Sequence, residues 1–269
     1  MIAPIVDVTW LADHPDAVVV DVRWYLDGRS GRDAYVTGHL PGAVFIDLNT
    51  ALASPPSWAE GRHPLPEPIV FAEAMADAGI SHDSVVVAYD DAGGASAGRL
   101  VWLLRSIGVG AALLDGGIGA WAGELTTEVP QPARGHFGPR SWRPERLASM
   151  NDADTAPLVI DSRAPERYRG ESEPIDVRAG HVPGAVNLPF VGNLNAQGYF
   201  LSPDALRMRF ESVGLTSAGD AVVYCGSGIT ACHNLLAMEH AGFTGGRLFP
   251  GSWSAYAGSE RPIATGPLA

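Results

Sequence analysis

Short, uninterrupted apolar runs at Val18–Val22, Val85–Ala88 and Ala111–Leu114 alternate along the chain with longer, mixed stretches. Runs of that length, apolar at every position, fit strands buried on both faces of a parallel sheet. The stretches between them predict helices. "IVFAEAMADAGI" closes on Gly79 and "AGRLVWLLRSIGV" on Gly108, each a glycine where a helix stops. "DALRMRFESVGL" and "ITACHNLLAMEHAGF" repeat the signal further along. Such alternation predicts α/β architecture, a mainly parallel sheet flanked by helices.

The pattern also occurs twice. "VVVDVRW" returns as "LVIDSRA", setting Asp21 on Asp161 and Arg23 on Arg163. "GHLPGAVFIDL" returns as "GHVPGAVNLPF", and "LDGGIGAW" as "FPGSWSAY". "VVVAYD" matches "AVVYC", so Asp90 falls opposite Cys225. The offsets run from 135 to 142 residues, which indicates a duplicated domain. The expected boundaries are residues 1–123, a proline-containing surface linker over 124–146, and 147–269. His39 and His181 recur in the same Pro-Gly turn, so both read as structural.

Composition removes several function classes. A formal net charge of −12 argues against sequence-independent nucleic-acid binding, which needs a basic surface. No apolar run reaches membrane-spanning length, and the first residues lack the pattern of a secretory signal. Only two cysteines are present, Cys225 and Cys232. They are too few for a disulfide framework or a four-cysteine zinc site, and they fit a cytoplasmic location. No metal or organic cofactor is expected. His233 and His240 lack a completing carboxylate and read as solvated or helix-terminal.

The chemistry concentrates in "VVYCGSGITACHN". A strand ending at Cys225 and turning into a helix through Gly226-Ser227-Gly228 directs backbone N–H groups at the sulfur. The positive end of the following helix adds to that field. Such surroundings favour the thiolate, the nucleophilic form. Ser227 and Thr230 would donate further hydrogen bonds. Cys232, two helical turns on, reads as a core residue, and Trp253 and Tyr256 as packing. Cysteine-dependent phosphatase chemistry needs an arginine six residues after the cysteine, where this chain has Ala231.

These motifs together resemble the tandem-domain rhodanese family of thiosulfate and 3-mercaptopyruvate sulfurtransferases. The resemblance covers nearly the whole chain: "DSRAPERYRG", "GHVPGAVNLPF", "CGSGITA", "FPGSWSAY" and the degenerate "YDDAGGASAGRLVWLLR". It implies two rhodanese-like domains, the first with Asp90 in place of the cysteine. It also implies a Cys225 persulfide that carries sulfur from a small anionic donor to a thiol (thioredoxin is one candidate) or cyanide. The Gly-Ser-Gly loop is similar to that of mercaptopyruvate enzymes; a thiosulfate-preferring enzyme is the alternative, and a non-catalytic sulfur-carrier or regulatory module a more distant one. By the same resemblance, Arg167 would grip a carboxylate, with Gly226, Gly228, Ile229 and Thr230 around the donor. A second arginine of relatives falls on Ile175 here, leaving Arg178 as a displaced candidate. Ser227 and His63 match two members of a Ser–His–Asp relay whose aspartate position is Asn49, with Asp47 on the same face if the segment is a strand. A monomer is expected, since the copies can cover one another's faces.

Overall fold

The computed structural model describes residues 2–216 and 221–267. They form two compact units. In the first, strands β1 (Ile5–Val6), β2 (Val18–Asp21), β3 (Val44–Phe45), β4 (Val85–Tyr89) and β5 (Gly110–Leu114) make a parallel sheet of order β1-β5-β4-β2-β3. In the second, β6 (Leu158–Asp161), β7 (Val186–Asn187), β8 (Ala221–Tyr224) and β9 (Arg247–Leu248) run parallel in the order β7-β6-β8-β9. The second sheet thus reproduces β3-β2-β4-β5 of the first. Even the edge pairing persists, because a parallel bridge from Leu147 to Leu248 stands where β1 meets β5.

The expected strands and helices are present. β4 and β8 are buried along nearly their whole length, which is why their sequences carry no polar alternation. The helices Pro68–Asp77 and Ala97–Ser106 stop just before Gly79 and Gly108, whose φ angles are +76° and +86°. Only glycine adopts that conformation without strain.

The units trade segments relative to chain order. Residues 124–142 belong to the first unit, and Pro55–Leu65 to the second. The proline-rich stretch does lie largely at the surface, but it is fastened to the first unit. Thr126 bridges His39, the Gly135 N–H donates to the Ala76 carbonyl, and Phe137 is buried against Phe71. Placing Pro55–Leu65 in the second unit matters most, since it delivers Arg62 and His63 to the loop that follows Cys225.

The repeat is visible in atomic detail. His39 and His181 are buried, each with Nδ1 hydrogen-bonded to a tyrosine carbonyl, Tyr35 at 2.8 Å and Tyr168 at 2.7 Å. Each ring also stacks on that tyrosine. The Tyr89 hydroxyl accepts from the Leu40 N–H, and the Tyr224 hydroxyl from the Val182 N–H. Both histidines are structural, as the repeat suggested.

A buried ion pair lies at the end of β2 in the first copy and of β6 in the second. Arg23 Nη2 donates to Asp21 at 2.6 Å and to the Gly38 carbonyl at 2.7 Å. Arg163 Nη2 does the same with Asp161 and the Gly180 carbonyl, both at 2.6 Å. Burial opposes the Arg163 charge, but Asp161 outweighs it and holds the guanidinium above its ordinary pKa. Removing one partner of a buried pair strands the other charge. Arg163→Met is therefore expected to cost about 3–5 kcal/mol of stability, measured by urea unfolding of the two proteins side by side.

Candidate active site

Cys225 follows β8 directly and is 2 % exposed. Its Sγ accepts a hydrogen bond from the Gly228 N–H at 3.1 Å. The helix Thr230–His240 begins two residues later, so its N-terminus lies at the loop. Gly228 has φ +78°, the turn expected of it. Ile229 is the residue before the helix and is buried, while Thr230 is its first residue and half-buried. Cys232 is fully buried, and its thiol donates to the Gly228 carbonyl at 3.3 Å. It fastens the loop from the helix side, a packing role as expected.

The first copy shows what this turn attracts. Asp90 accepts from the N–H groups of Ala92, Gly94, Ser96 and Ala97 at 2.8–2.9 Å, and from the Ser96 hydroxyl. A carboxylate there fills the anion-binding concavity that Cys225 begins in the second copy.

Sequence reading missed Ser252. It is the only non-glycine residue with positive φ (+50°) among the described residues, and its Oγ accepts from the Cys225 N–H at 3.1 Å. The matching residue of the first copy is Gly117, at φ +57°. The Trp253 N–H donates to the Cys225 carbonyl just as the Ile118 N–H donates to that of Asp90. A serine held at this angle carries strain; its hydroxyl anchors the Cys225 backbone. The signal was in the sequence, as glycine replaced by serine inside "GGIGAW"/"GSWSAY".

Pro55–Leu65 brings the next groups. The Ser57–Gly61 backbone bonds close a short turn, and Gly61 (φ +85°) lies so close to Ser254 and Gly251 that a Cβ would collide with them. From this turn His63 Nδ1 reaches Ser227 Oγ at 2.8 Å. The expected Ser227–His63 pair is formed, so the serine hydroxyl faces the histidine. Asp47 and Asn49 sit differently from the expectation. β3 ends at Phe45, Asp47 caps the helix Leu48–Ala51 by accepting from Thr50, and Asn49 accepts from Trp24 Nε1. Strand alternation does not apply there.

Arg167 is mostly buried and flanks the loop. Its Nη2 donates to Glu173 at 2.6 Å and to Asp176 at 3.1 Å. Arg62, which sequence reading did not single out, donates to the same Asp176 through Nε and Nη2. A methyl group on Gly226 would lie 2.9 Å from Arg62 Nη2 and 3.4 Å from Arg167 Nη1. Gly226 is glycine to let two guanidinium groups approach the loop; its φ does not require it. An open cavity of about 280 Å³ adjoins Arg62, lined by Trp58, Ile175, Asp176, Val177 and Ser254 among others. Cys225 does not line it, but Ser254 donates its N–H to the Gly226 carbonyl.

Arg178 has another task. Its guanidinium donates to the carbonyls of Tyr256, Ala257, Ser259 and Arg261, tying down the end of the helix Ser252–Gly258. It is removed from the substrate-binding candidates. Trp253 and Tyr256 are fully buried packing residues. His233 is buried against Asn193, not solvated, whereas His240 does end its helix.

This arrangement is a buried cysteine at an anion-favouring turn beside paired guanidinium groups. The "Rhodanese-like domain" model matches residues 7–124 and 143–259. The chain belongs to the rhodanese family. It is 43% identical over 275 residues, 94% of each chain, to a Pseudomonas aeruginosa protein named "Probable 3-mercaptopyruvate sulfurtransferase". It is 37% identical over 92% of its length, and 90% of the other's, to the Mycobacterium tuberculosis "Putative thiosulfate sulfurtransferase SseB". Among solved structures, that of SseA from Escherichia coli, a 3-mercaptopyruvate sulfotransferase by its description, matches with TM-score 0.79 and 32% identity. That match covers 94% of this rhodanese and all of the other chain.

Gly226→Ala in this rhodanese would displace the ends of two flexible side chains, not backbone. The expected outcome is a rise in KM for an anionic donor with little change in Tm, read by steady-state kinetics and thermal unfolding together.

Proposed function

We propose that the protein is a sulfurtransferase that takes sulfur from 3-mercaptopyruvate, and more slowly from thiosulfate, through a Cys225 persulfide. The observation that carries this reading is Cys225 Sγ held by the Gly228 N–H beside Arg62 and Arg167. The Gly-Ser-Gly loop and the name of the Pseudomonas relative favour the mercaptopyruvate donor. The Mycobacterium relative's name keeps thiosulfate as the second reading.

In the first half-reaction the Cys225 thiolate attacks the donor sulfur. The carbon–sulfur bond breaks, its electron pair stays on carbon, and pyruvate leaves once that carbon takes up the proton of the donor thiol. Ser227 and His63, 2.8 Å apart, provide a path for this proton. With thiosulfate, the sulfur–sulfur bond breaks and sulfite leaves. In the second half-reaction a thiol or cyanide attacks the outer persulfide sulfur, and the Cys225 thiolate returns. Arg167 binds the donor's anionic end as a planar fork. Gly226, Gly228, Ile229 and Thr230 form the surrounding loop. A monomer working in the cytoplasm, with thioredoxin or another small thiol as acceptor, fits two reduced cysteines and a chain in which no described helix is long and apolar enough to cross a membrane.

Incubation with 3-mercaptopyruvate should add one sulfur, about 32 Da, as a cysteine persulfide, and cyanide should remove it. Intact-protein mass spectrometry reads both steps. Cys225→Ser should gain no sulfur and keep its fold; loading of that variant would overturn the assignment of the nucleophile. Arg167→Ala should raise KM for the donor at least about tenfold with a smaller effect on kcat, and an unchanged KM would remove Arg167 from the donor site.

A further inference from the structure

We infer that the Ser254 hydroxyl is the positioning group for the Ser227–His63 pair, an inference that rests on the proton path proposed for that pair. Its ground is the place of one residue between the two backbone segments that carry the pair. Ser254 Oγ accepts from the Arg62 N–H at 3.1 Å, and the Ser254 N–H donates to the Gly226 carbonyl at 2.9 Å. Residues 62 and 226 immediately precede His63 and Ser227, whose side chains meet at 2.8 Å. The serine thus holds the backbone ahead of each partner. Its hydroxyl also donates to the Gly251 carbonyl at 3.1 Å, which commits its one proton and leaves a lone pair for the Arg62 N–H.

The surroundings are shaped for this contact. A Cβ on Gly61 would collide with Ser254 Oγ and the Gly251 carbonyl. Glycine there lets the turn before His63 settle onto the start of the helix Ser252–Gly258. Near the other end of that helix the Trp58 ring lies against Gly258, where a Cβ would come within 3.2 Å of it.

The repeat shows that packing does not call for the serine. Ser254 matches Gly119 of the first copy, as Ser252 matches Gly117, and a Cβ on Gly119 would meet open space. The copy that holds a carboxylate in place of the thiol does without a hydroxyl at this position.

The consequence differs between donors. From 3-mercaptopyruvate the carbon–sulfur electron pair stays on carbon, and that carbon takes up the proton routed through the pair. From thiosulfate the sulfur–sulfur electron pair leaves with sulfite, and no proton transfer is needed. Loss of the Ser254 hydroxyl therefore slows the first donor and spares the second, whereas a general loosening of the loop slows both.

The test is single-turnover sulfur loading of Cys225 from each donor, by rapid quench and intact-protein mass spectrometry. Ser254→Ala, which keeps the N–H to Gly226, should load at least about tenfold more slowly from 3-mercaptopyruvate and change less than about twofold with thiosulfate. Ser254→Thr, which keeps the hydroxyl, should recover most of the loss. Equal slowing with both donors, or none with either, in a folded Ser254→Ala protein would overturn the inference. Nitrogen NMR of the His63 ring reads the pair without turnover. The Nδ1 signal should shift in Ser254→Ala and return in Ser254→Thr; an unmoved signal would also count against the role of Ser254, even where the wild type loads sulfur normally. Conversely, a wild type that gains no sulfur from either donor, yet shows that shift, would sink the sulfurtransferase reading and leave the positioning role standing.

Discussion

The pair Asp161–Arg163 is the interaction on which the second unit depends. Its guanidinium binds the strand end, the Gly180 carbonyl at the turn that carries His181, and the face of Trp253, 4.6 Å from the ring centre. It then reaches Glu173 at 3.2 Å, and Glu173 in turn orients Arg167. A purely structural ion pair is thereby coupled, through one carboxylate, to the guanidinium that flanks the Cys225 loop. Its charges are too deeply buried for either partner to be replaced alone. Asp21–Arg23 performs the strand and turn functions in the first copy.

Much of the fold was legible because duplication supplied an internal comparison. Strands such as β4 declared themselves by continuous apolar sequence, and helix ends by Gly79 and Gly108. The Asp90–Cys225 correspondence holds to the level of single hydrogen bonds, in the matching donors Ile118 and Trp253. The Ser227–His63 pair was also within reach, from the resemblance to relatives.

The remainder was hidden for physical reasons. Arg62 acquires its meaning from Asp176 and Gly226, contacts that no local pattern encodes. Arg178 was only a displaced candidate for the second cation, and carbonyls at a helix end captured it. Asn49 lies in, and Asp47 caps, a short helix whose four residues carry too weak a period to be distinguished from a strand. His233 reads as polar and therefore exposed; burial is tolerated because Asn193 and Asn234 complete a hydrogen-bonded cluster with Ser162.

The turn occupied by Asp90 has a consequence for how the two halves experience reaction. Its carboxylate has a fixed length, carries no transferable atom and is saturated by four backbone donors and one hydroxyl. In the homologous turn, the proposed mechanism has the group at the same place gain and lose a sulfur in every cycle, lengthening and shortening by one bond. One sheet end is thus built around a fixed side chain and the other, on the proposed mechanism, around a changing one. Among the described residues one N–H meets Cys225 Sγ; set against the crowded ligation of Asp90, that suits the proposed role of a group that must release its grip on the loop to make room for its own cargo.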